Sequence, residues 1–188
     1  MESQNQLKFE KKKFYIILFL ILIGIGLCAE LGYIFYKTNF HDTFAPSFCN
    51  VSELIDCDGV ARTNYAVSMG VPNALWGMIL YLIMLMLLFV DRIQLKFKKS
   101  IFNVFKNPSS YIAILGLVSF AISMILAFIS IAIIHKICAL CFCTYFINFL
   151  IAVVAKSKEG YWYDLKVTLV DFVKGARKYF ILFIIVLV

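Results

Sequence analysis

Four stretches of the chain are apolar almost without interruption: 14–36, 74–90, 111–134 and 137–155. Each is close to the roughly 20 residues that an α-helix needs to cross a bilayer. The second is the shortest and is expected to borrow a turn from Pro72 and Asn73, proline being well placed at a helix start. A fifth apolar segment, Tyr179 to Val188, has only begun when the chain stops. Ten residues cannot span, so it reads as a truncated boundary or an interfacial end. The first stretch is too long for a cleavable signal, and no small-x-small site follows it. The pattern predicts an all-α integral membrane protein: a four-transmembrane-helix bundle with an extracytoplasmic cap loop and a partial fifth hydrophobic segment. The corresponding divisions are a basic N-terminus (1–13), a four-helix core (14–156) containing the loop 37–73, and a basic segment with the fifth stretch (157–188).

Small residues mark the expected helix contacts. Gly24, Cys28 and Gly32 recur every four residues in the first span, as do Ser119, Ser123 and Ala127 in the third. Such spacing lets backbones approach closely where lipid supplies no hydrophobic drive between helices. Cys28 and Cys143 read as buried apolar thiols. Glu30, in the outer part of the first span, reads equally as a functional intramembrane carboxylate or as a side chain reaching the headgroups.

Composition agrees with this and removes other classes. Apolar residues make up 63% of the 188 positions and charged residues 15%, with a mean hydropathy of +0.91. A chain this size could not hide that much apolar surface in water, and intrinsic disorder needs the opposite composition. The net charge of +7 sits in short runs flanking the apolar stretches, at Lys8–Lys13, Arg92–Lys106 and Lys156–Lys178. That is the signature of cytoplasmic loops and anionic-lipid contact, not of a nucleic-acid partner. The 37–73 loop is different: Lys37 and Arg62 stand against Asp42, Glu53, Asp56 and Asp58, a net of −2. The positive-inside rule therefore puts the N-terminus, the 91–110 loop and the 156–178 stretch in the cytoplasm. The 37–73 loop and the short turn at His135–Lys136 then face the opposite side.

On that side lie four of the six cysteines. Cys49 and Cys57 are separated by seven residues in the long loop, while Cys138 and Cys141 form a C-x-x-C at the mouth of the fourth span. Disulfides form and persist in compartments of that kind. Thiol–disulfide exchange proceeds by thiolate attack through a mixed disulfide, so one pair must reach the other. A loop pair can swing, whereas a helix-borne pair cannot. At a helix N-terminus the first cysteine of C-x-x-C meets free N–H groups and the positive dipole end, which favour its thiolate. The second, a turn deeper, faces the bundle interior. Taken alone, a loop pair is more often a structural disulfide, and a lone C-x-x-C in a membrane helix is weak evidence. His135, Cys138, Cys141 and Cys143 offer enough ligands for zinc, but Cys143 points away from the face shared by Cys138 and Cys141, so no metal site is expected.

The joint pattern is more specific than its parts. Cys49-x7-Cys57 is followed by Asp58-Gly59-Val60-Ala61-Arg62-Thr63, then by Gly70-Val71-Pro72-Asn73-Ala74-Leu75-Trp76-Gly77 with Tyr81. The second motif is Cys138-x-x-Cys141-x-x-x-Tyr145-x-x-Asn148. Together they closely resemble the vitamin K epoxide reductase family over about residues 10 to 156. The order, loop pair before C-x-x-C, separates the chain from the other bacterial quinone-linked disulfide oxidase family.

The resemblance implies roles. Cys141 would be the cysteine beside a quinone; Cys138 would resolve it and exchange with Cys57; Cys49 would exchange with the dithiol of a thioredoxin-like partner. Asn73 and Tyr145 would hydrogen-bond the two carbonyl sides of the ring, as an amide N–H and a phenol O–H can. Thr63 would order the loop over the pocket and Trp76 would form a wall of it; Phe142 reads mainly as core packing. The implied electron acceptor is a membrane quinone of the ubiquinone, menaquinone or vitamin K type. The implied outcome is disulfide formation in exported proteins, at a bacterial inner membrane with the cysteines outside, or at the endoplasmic reticulum membrane if the chain is eukaryotic. Many bacterial members continue into a thioredoxin-like domain, of which this sequence has no trace. Two other readings stay open: reduction of vitamin K quinone or its epoxide, and a tetraspan structural protein with one loop disulfide.

Overall fold

A computed structural model describes residues 2–40, 46–97, 108–156, 160–170 and 173. The stretch Tyr179 to Val188 and residues 98–107 of the basic 91–110 loop lie outside them. Among the described residues, four long helices carry the chain: α1 (Glu2–Phe40), α3 (Asn73–Phe97), α4 (Pro108–Ile129) and α5 (Ala139–Ala155). Between α1 and α3 come a one-turn helix α2 (Cys57–Ala61), a 3₁₀ turn (Asn64–Ala66) and a hairpin of β1 (Val67–Ser68) and β2 (Val71–Pro72). Residues 161–170 form a further helical stretch.

The spans Lys12–Phe40, Asn73–Ile93 and Pro108–Ile134 are long and apolar enough to cross a membrane, and α5 is a shorter apolar helix of 17 residues. The protein is thus a helical integral membrane protein. In the bundle α1 packs on α3 and α5, and α4 packs on the same two helices. The core between them holds Ile21, Cys28, Tyr81, Met84, Ile112 and Ile151. Large apolar side chains such as Phe19, Met86, Ile125 and Phe146 point outward, as suits surface facing lipid instead of water.

Gly24 and Cys28 make close approaches as their spacing predicts, and Gly77 and Gly116 add two that it did not point to. A Cβ on Gly24 would fall 2.5 Å from the Tyr81 ring, one on Gly77 would fall 2.9 Å from the Cys28 sulfur, and one on Gly116 would press on the Ala152 backbone at 3.0 Å. Gly32, by contrast, faces open space. Ser119, Ser123 and Ala127 are buried on α4 as their spacing predicts. Between them runs a polar link across three helices. The Tyr81 hydroxyl donates to Asn148 Oδ1 at 2.8 Å, Asn148 Nδ2 donates to Ser123 Oγ at 3.0 Å, and Ser123 donates to the Ser119 carbonyl at 2.8 Å. Every member has a partner, which is what a buried polar group in an apolar bundle requires.

The helix boundaries correct the expectations from hydropathy. Pro72 closes the hairpin instead of starting α3, whose first residue is Asn73. The hairpin turn places Met69 and Gly70 at φ 55° and 78°, the two left-handed residues of a tight β-turn. Pro108 does take the first position of α4, as the preference for proline there predicts. Beyond Ile129 the helix widens into one π turn, Ser130–Ile134, and stops at His135 in the left-handed region (φ 56°). That reversal turns residues 136 and 137 into extended chain, so α5 begins at Ala139, two residues later than the apolar run. Cys143 is exposed on α5, not buried, whereas Cys28 is buried. Helical residues 161–170 pack back on the bundle: Ser110 Oγ donates to the buried Asp164 carboxylate at 2.8 Å, and the Tyr161 hydroxyl donates to the Ala152 carbonyl at 3.1 Å. Nearby, Lys13 Nζ donates to the Ala155 and Lys156 carbonyls at 3.2 and 2.8 Å, where the C-terminal end of α5 attracts a cation.

Candidate functional site

The loop between α1 and α3 is anchored twice around its cysteines. Asp56 is the N-cap of α2, its side chain accepting from Gly59 N at 2.7 Å, so the helix begins with Cys57 in a fixed orientation. The buried Asp58 carboxylate gathers the other side of the loop: it accepts from Ser47 N at 3.0 Å, from the Ser47 hydroxyl, and from Asn50 Nδ2 at 2.6 Å. These bonds bring residue 50 back over residue 58, and Cys49 and Cys57 are joined in a disulfide with Cα atoms 5.9 Å apart.

The same loop is stitched to the segment entering α5. Ile137 N donates to the Leu54 carbonyl at 2.7 Å and Asp56 N donates to the Ile137 carbonyl at 3.1 Å, a single parallel bridge between Ile55 and Ile137. Beside it Lys136 and Asp56 form an ion pair. One residue further, Cys138 is the N-cap of α5, its sulfur accepting from Cys141 N at 3.3 Å. The consequence is that three cysteines share one buried cluster. Cys49, Cys57 and Cys138 are 4%, 1% and 2% exposed and pack with Ile34 and Leu140, and Cys141 lies against them. Cys138 and Cys141 are free thiols. The mobile pair expected of a loop is therefore held closed in this structure.

The remaining residues singled out from the sequence fall into two groups. Tyr145, one turn below Cys141 on α5, interacts with it and packs its ring 5.5 Å from Phe142. Asn73, Trp76 and Thr63 instead bond within their own segment. Asn73 Nδ2 donates to the Tyr65 carbonyl at 2.8 Å while its Oδ1 accepts from Ser68 at 2.7 Å. Trp76 Nε1 donates to the Ser68 carbonyl at 3.2 Å, and the Thr63 hydroxyl donates to the Val60 carbonyl at 2.8 Å. Three residues with structural work in the site carried no role in the sequence reading: Asp56, Asp58 and Lys136. Asp56 had a local signal, a carboxylate three residues before Gly59 at a helix start; its pairing with Lys136 had none.

Electrostatics at this end are legible around Asp56. Partial burial pushes its carboxyl up, but the hydrogen bonds from Lys136 and Gly59 and the charges of Lys136 and Arg62 outweigh that and hold it below the ordinary value of 3.8. The ion pair lines an open polar cleft with Pro46, Asn50, Asp58 and Arg62, so water reaches it.

In a helical membrane protein, a buried loop disulfide thus meets a C-x-x-C at the head of a short apolar helix. The sequence profile of the Vitamin K epoxide reductase family matches residues 15–156. The chain belongs to that family, and so is a membrane oxidoreductase. No curated protein sequence matches it.

Proposed function

We propose that the protein passes electrons from the dithiol of a thioredoxin-like partner through Cys49 and Cys57 to Cys138 and Cys141, and on to a membrane quinone, supporting disulfide formation in exported proteins. The observation that carries this reading is the common burial of Cys49, Cys57 and Cys138 with Cys141 against them. A structural loop disulfide needs no such meeting with a second pair.

The exchange runs through the chain's own four cysteines, with the partner dithiol as reductant and the quinone as oxidant. A partner thiolate attacks Cys49 Sγ, the Cys49–Cys57 bond breaks, and Cys57 leaves as thiolate; the second partner thiol then releases Cys49 and the partner departs as a disulfide. Cys57 next attacks Cys138 of an oxidised C-x-x-C, with Cys141 as the leaving thiolate. Attack of Cys49 on Cys57 then restores the loop disulfide and frees Cys138. The loop pair oxidised and Cys138 and Cys141 as thiols is the arrangement that follows this transfer. A quinone at the site supplies the sink for two electrons and two protons. The donors present suit one. The Tyr145 hydroxyl stands beside the Cys141 thiol, and the Asn73 amide has an N–H beyond the one given to Tyr65. Tyr145 and Asn73 would orient the ring oxygens, and Trp76 and Thr63 would fix the segment above them. By the charge pattern, the cysteines face the non-cytoplasmic side.

The test is quinone bleaching by purified protein with a small dithiol and with a thioredoxin-like protein. Cys138→Ala and Cys141→Ser abolish it with either reductant, because a serine hydroxyl gives no nucleophilic anion near neutral pH. Cys49→Ala loses the protein reductant far more than the small dithiol. Cys28→Ala and Cys143→Ala stay active. Equal loss of small-dithiol activity in the Cys49 and Cys141 variants, or wild-type activity without Cys141, refutes the ordered relay.

A further inference from the structure

We propose that Asp56 and Lys136 are positioning residues: their ion pair selects the register in which Cys57 meets Cys138. The inference rests on the relay proposed above and names what aligns its internal step.

The two charges sit next to the reacting sulfurs along the chain. Asp56 immediately precedes Cys57, and Lys136 lies two residues before Cys138. The backbone contact between these strands is one parallel bridge of two hydrogen bonds, Ile137 N to Leu54 O and Asp56 N to Ile137 O. A bridge of that size is blind to sequence, and a slip of one residue would turn Cys138 to the other face of its strand. The side chains must therefore choose the register. The flanking residues Ile55 and Ile137 are apolar and equivalent for that purpose; the pair of opposite charge is not. Space is reserved for it as well, because a Cβ on Gly59 would collide with both the Asp56 carboxylate and the Lys136 ammonium.

Asp56 also caps α2 through Gly59 N, so it transmits the position of Lys136 directly to the helix that begins with Cys57. The ammonium itself has no part in that cap. Lys136 is thus the residue whose loss tests positioning without unfolding α2. With side-chain exposures of 40% and 20%, the pair lies where ion pairs contribute little to global stability. Its value to the protein must then be geometric.

The step it aligns is attack of a Cys57 thiolate on Cys138, or the reverse, and the contact between these two sulfurs can be measured without quinone or partner. In the full chain with Cys28, Cys49, Cys141 and Cys143 replaced by serine or alanine, diamide oxidises Cys57 and Cys138 to one disulfide and is itself reduced to the hydrazine. Lys136→Met and Asp56→Asn, the latter retaining a capping side chain, slow this closure at least about tenfold, since the effective concentration of two thiols depends on their orientation. Lys136→Arg restores most of the rate. Closure of Cys49 with Cys57, measured with Cys138 and Cys141 replaced instead, keeps its rate in Lys136→Met.

Parent-like closure of Cys57 with Cys138 in Lys136→Met overturns the proposal. So does equal slowing of both closures, which would make the pair a support for the whole loop. A quinone-inactive wild type whose Cys57–Cys138 closure still depends on Lys136 would refute the relay to quinone and leave the positioning pair in place. An active wild type with no dependence on Lys136 would do the reverse.

Discussion

Each end of the bundle is closed by a segment folded back onto it, and the two closures are built from different materials. Near α5's C-terminal end, helical residues 161–170 are held by a buried carboxylate, Asp164, which is 0% exposed and accepts from Ser110, itself 5% exposed. At the cysteine end, the loop packs on a buried cluster of cysteines with Ile34 and Leu140, and its polar ties to the head of α5 are one two-bond bridge and an ion pair that water reaches. Breaking a buried hydrogen bond leaves a polar group stranded away from water; breaking an exposed pair only exchanges partners for solvent. The first is a permanent joint. The second has polar ties that solvent can replace, and in the proposed relay the cysteines would need such ties to serve a partner outside and a thiol inside in turn.

The comparison can be broken most directly at its strong end. Asp164→Ala should lower stability in detergent by about 1–3 kcal/mol, the range for leaving a buried hydrogen-bonding partner unsatisfied, with Cys49–Cys57 formation unchanged. Denaturant unfolding read beside disulfide content checks both halves, and a variant as stable as wild type would show that the 161–170 joint is not structural. Next in size is the converse case at the cysteine end. Tyr145→Phe keeps nearly all the volume but removes one donor, and should cut catalytic efficiency with quinone about tenfold, equivalent to ~1.4 kcal/mol, with no change in melting. A smaller effect is expected midway. Tyr81→Phe should cost about 0.6 kcal/mol, typical of hydrogen bonds between membrane helices, and should affect both ends alike because Asn148 ties α3, α5 and α4 together.

The weakest effect is the titration of the outer closure. Asp56 has its carboxyl depressed below 3.8 in the folded chain. Its contribution is therefore complete above that value and is lost as pH falls through the lower folded pKa. Loop closure followed by thiol accessibility should be flat from neutral pH down to about pH 4 and loosen only in stronger acid. Asp56→Asn should remove that acid limb while changing global stability by no more than about 1 kcal/mol. An acid limb that persists in this variant would assign it to another carboxylate.

How much of this was readable beforehand follows from what each feature depends on. Three of the spans were legible because length and hydropathy alone define them, and the cysteine pairs were legible because their spacing is local. Helix ends were not: Pro72 went to a hairpin turned by Met69 and Gly70, and α4 ran on through a π turn to His135, outcomes decided by short polar contacts. Cys143 was misplaced for a general reason. In a membrane helix both the lipid face and the core face are apolar, so periodicity cannot say which way a thiol points. Asp56 with Lys136, 80 residues apart, and Ser110 with Asp164, 54 apart, leave no local trace at all.

The disulfide closes a small ring whose outer rim, Val51 to Leu54, is exposed while its base is buried. A backbone turn holds that rim, Val51 N donating to the Ile55 carbonyl at 3.0 Å, and Glu53 projects from it without a role in the contacts below. A small environment-sensitive dye attached at position 53 would therefore ride on the loop without touching its chemistry. Its emission would change as the rim lifts from the Ile137 strand, turning each opening of the covered sulfurs into an optical signal that can be timed in a single proteoliposome.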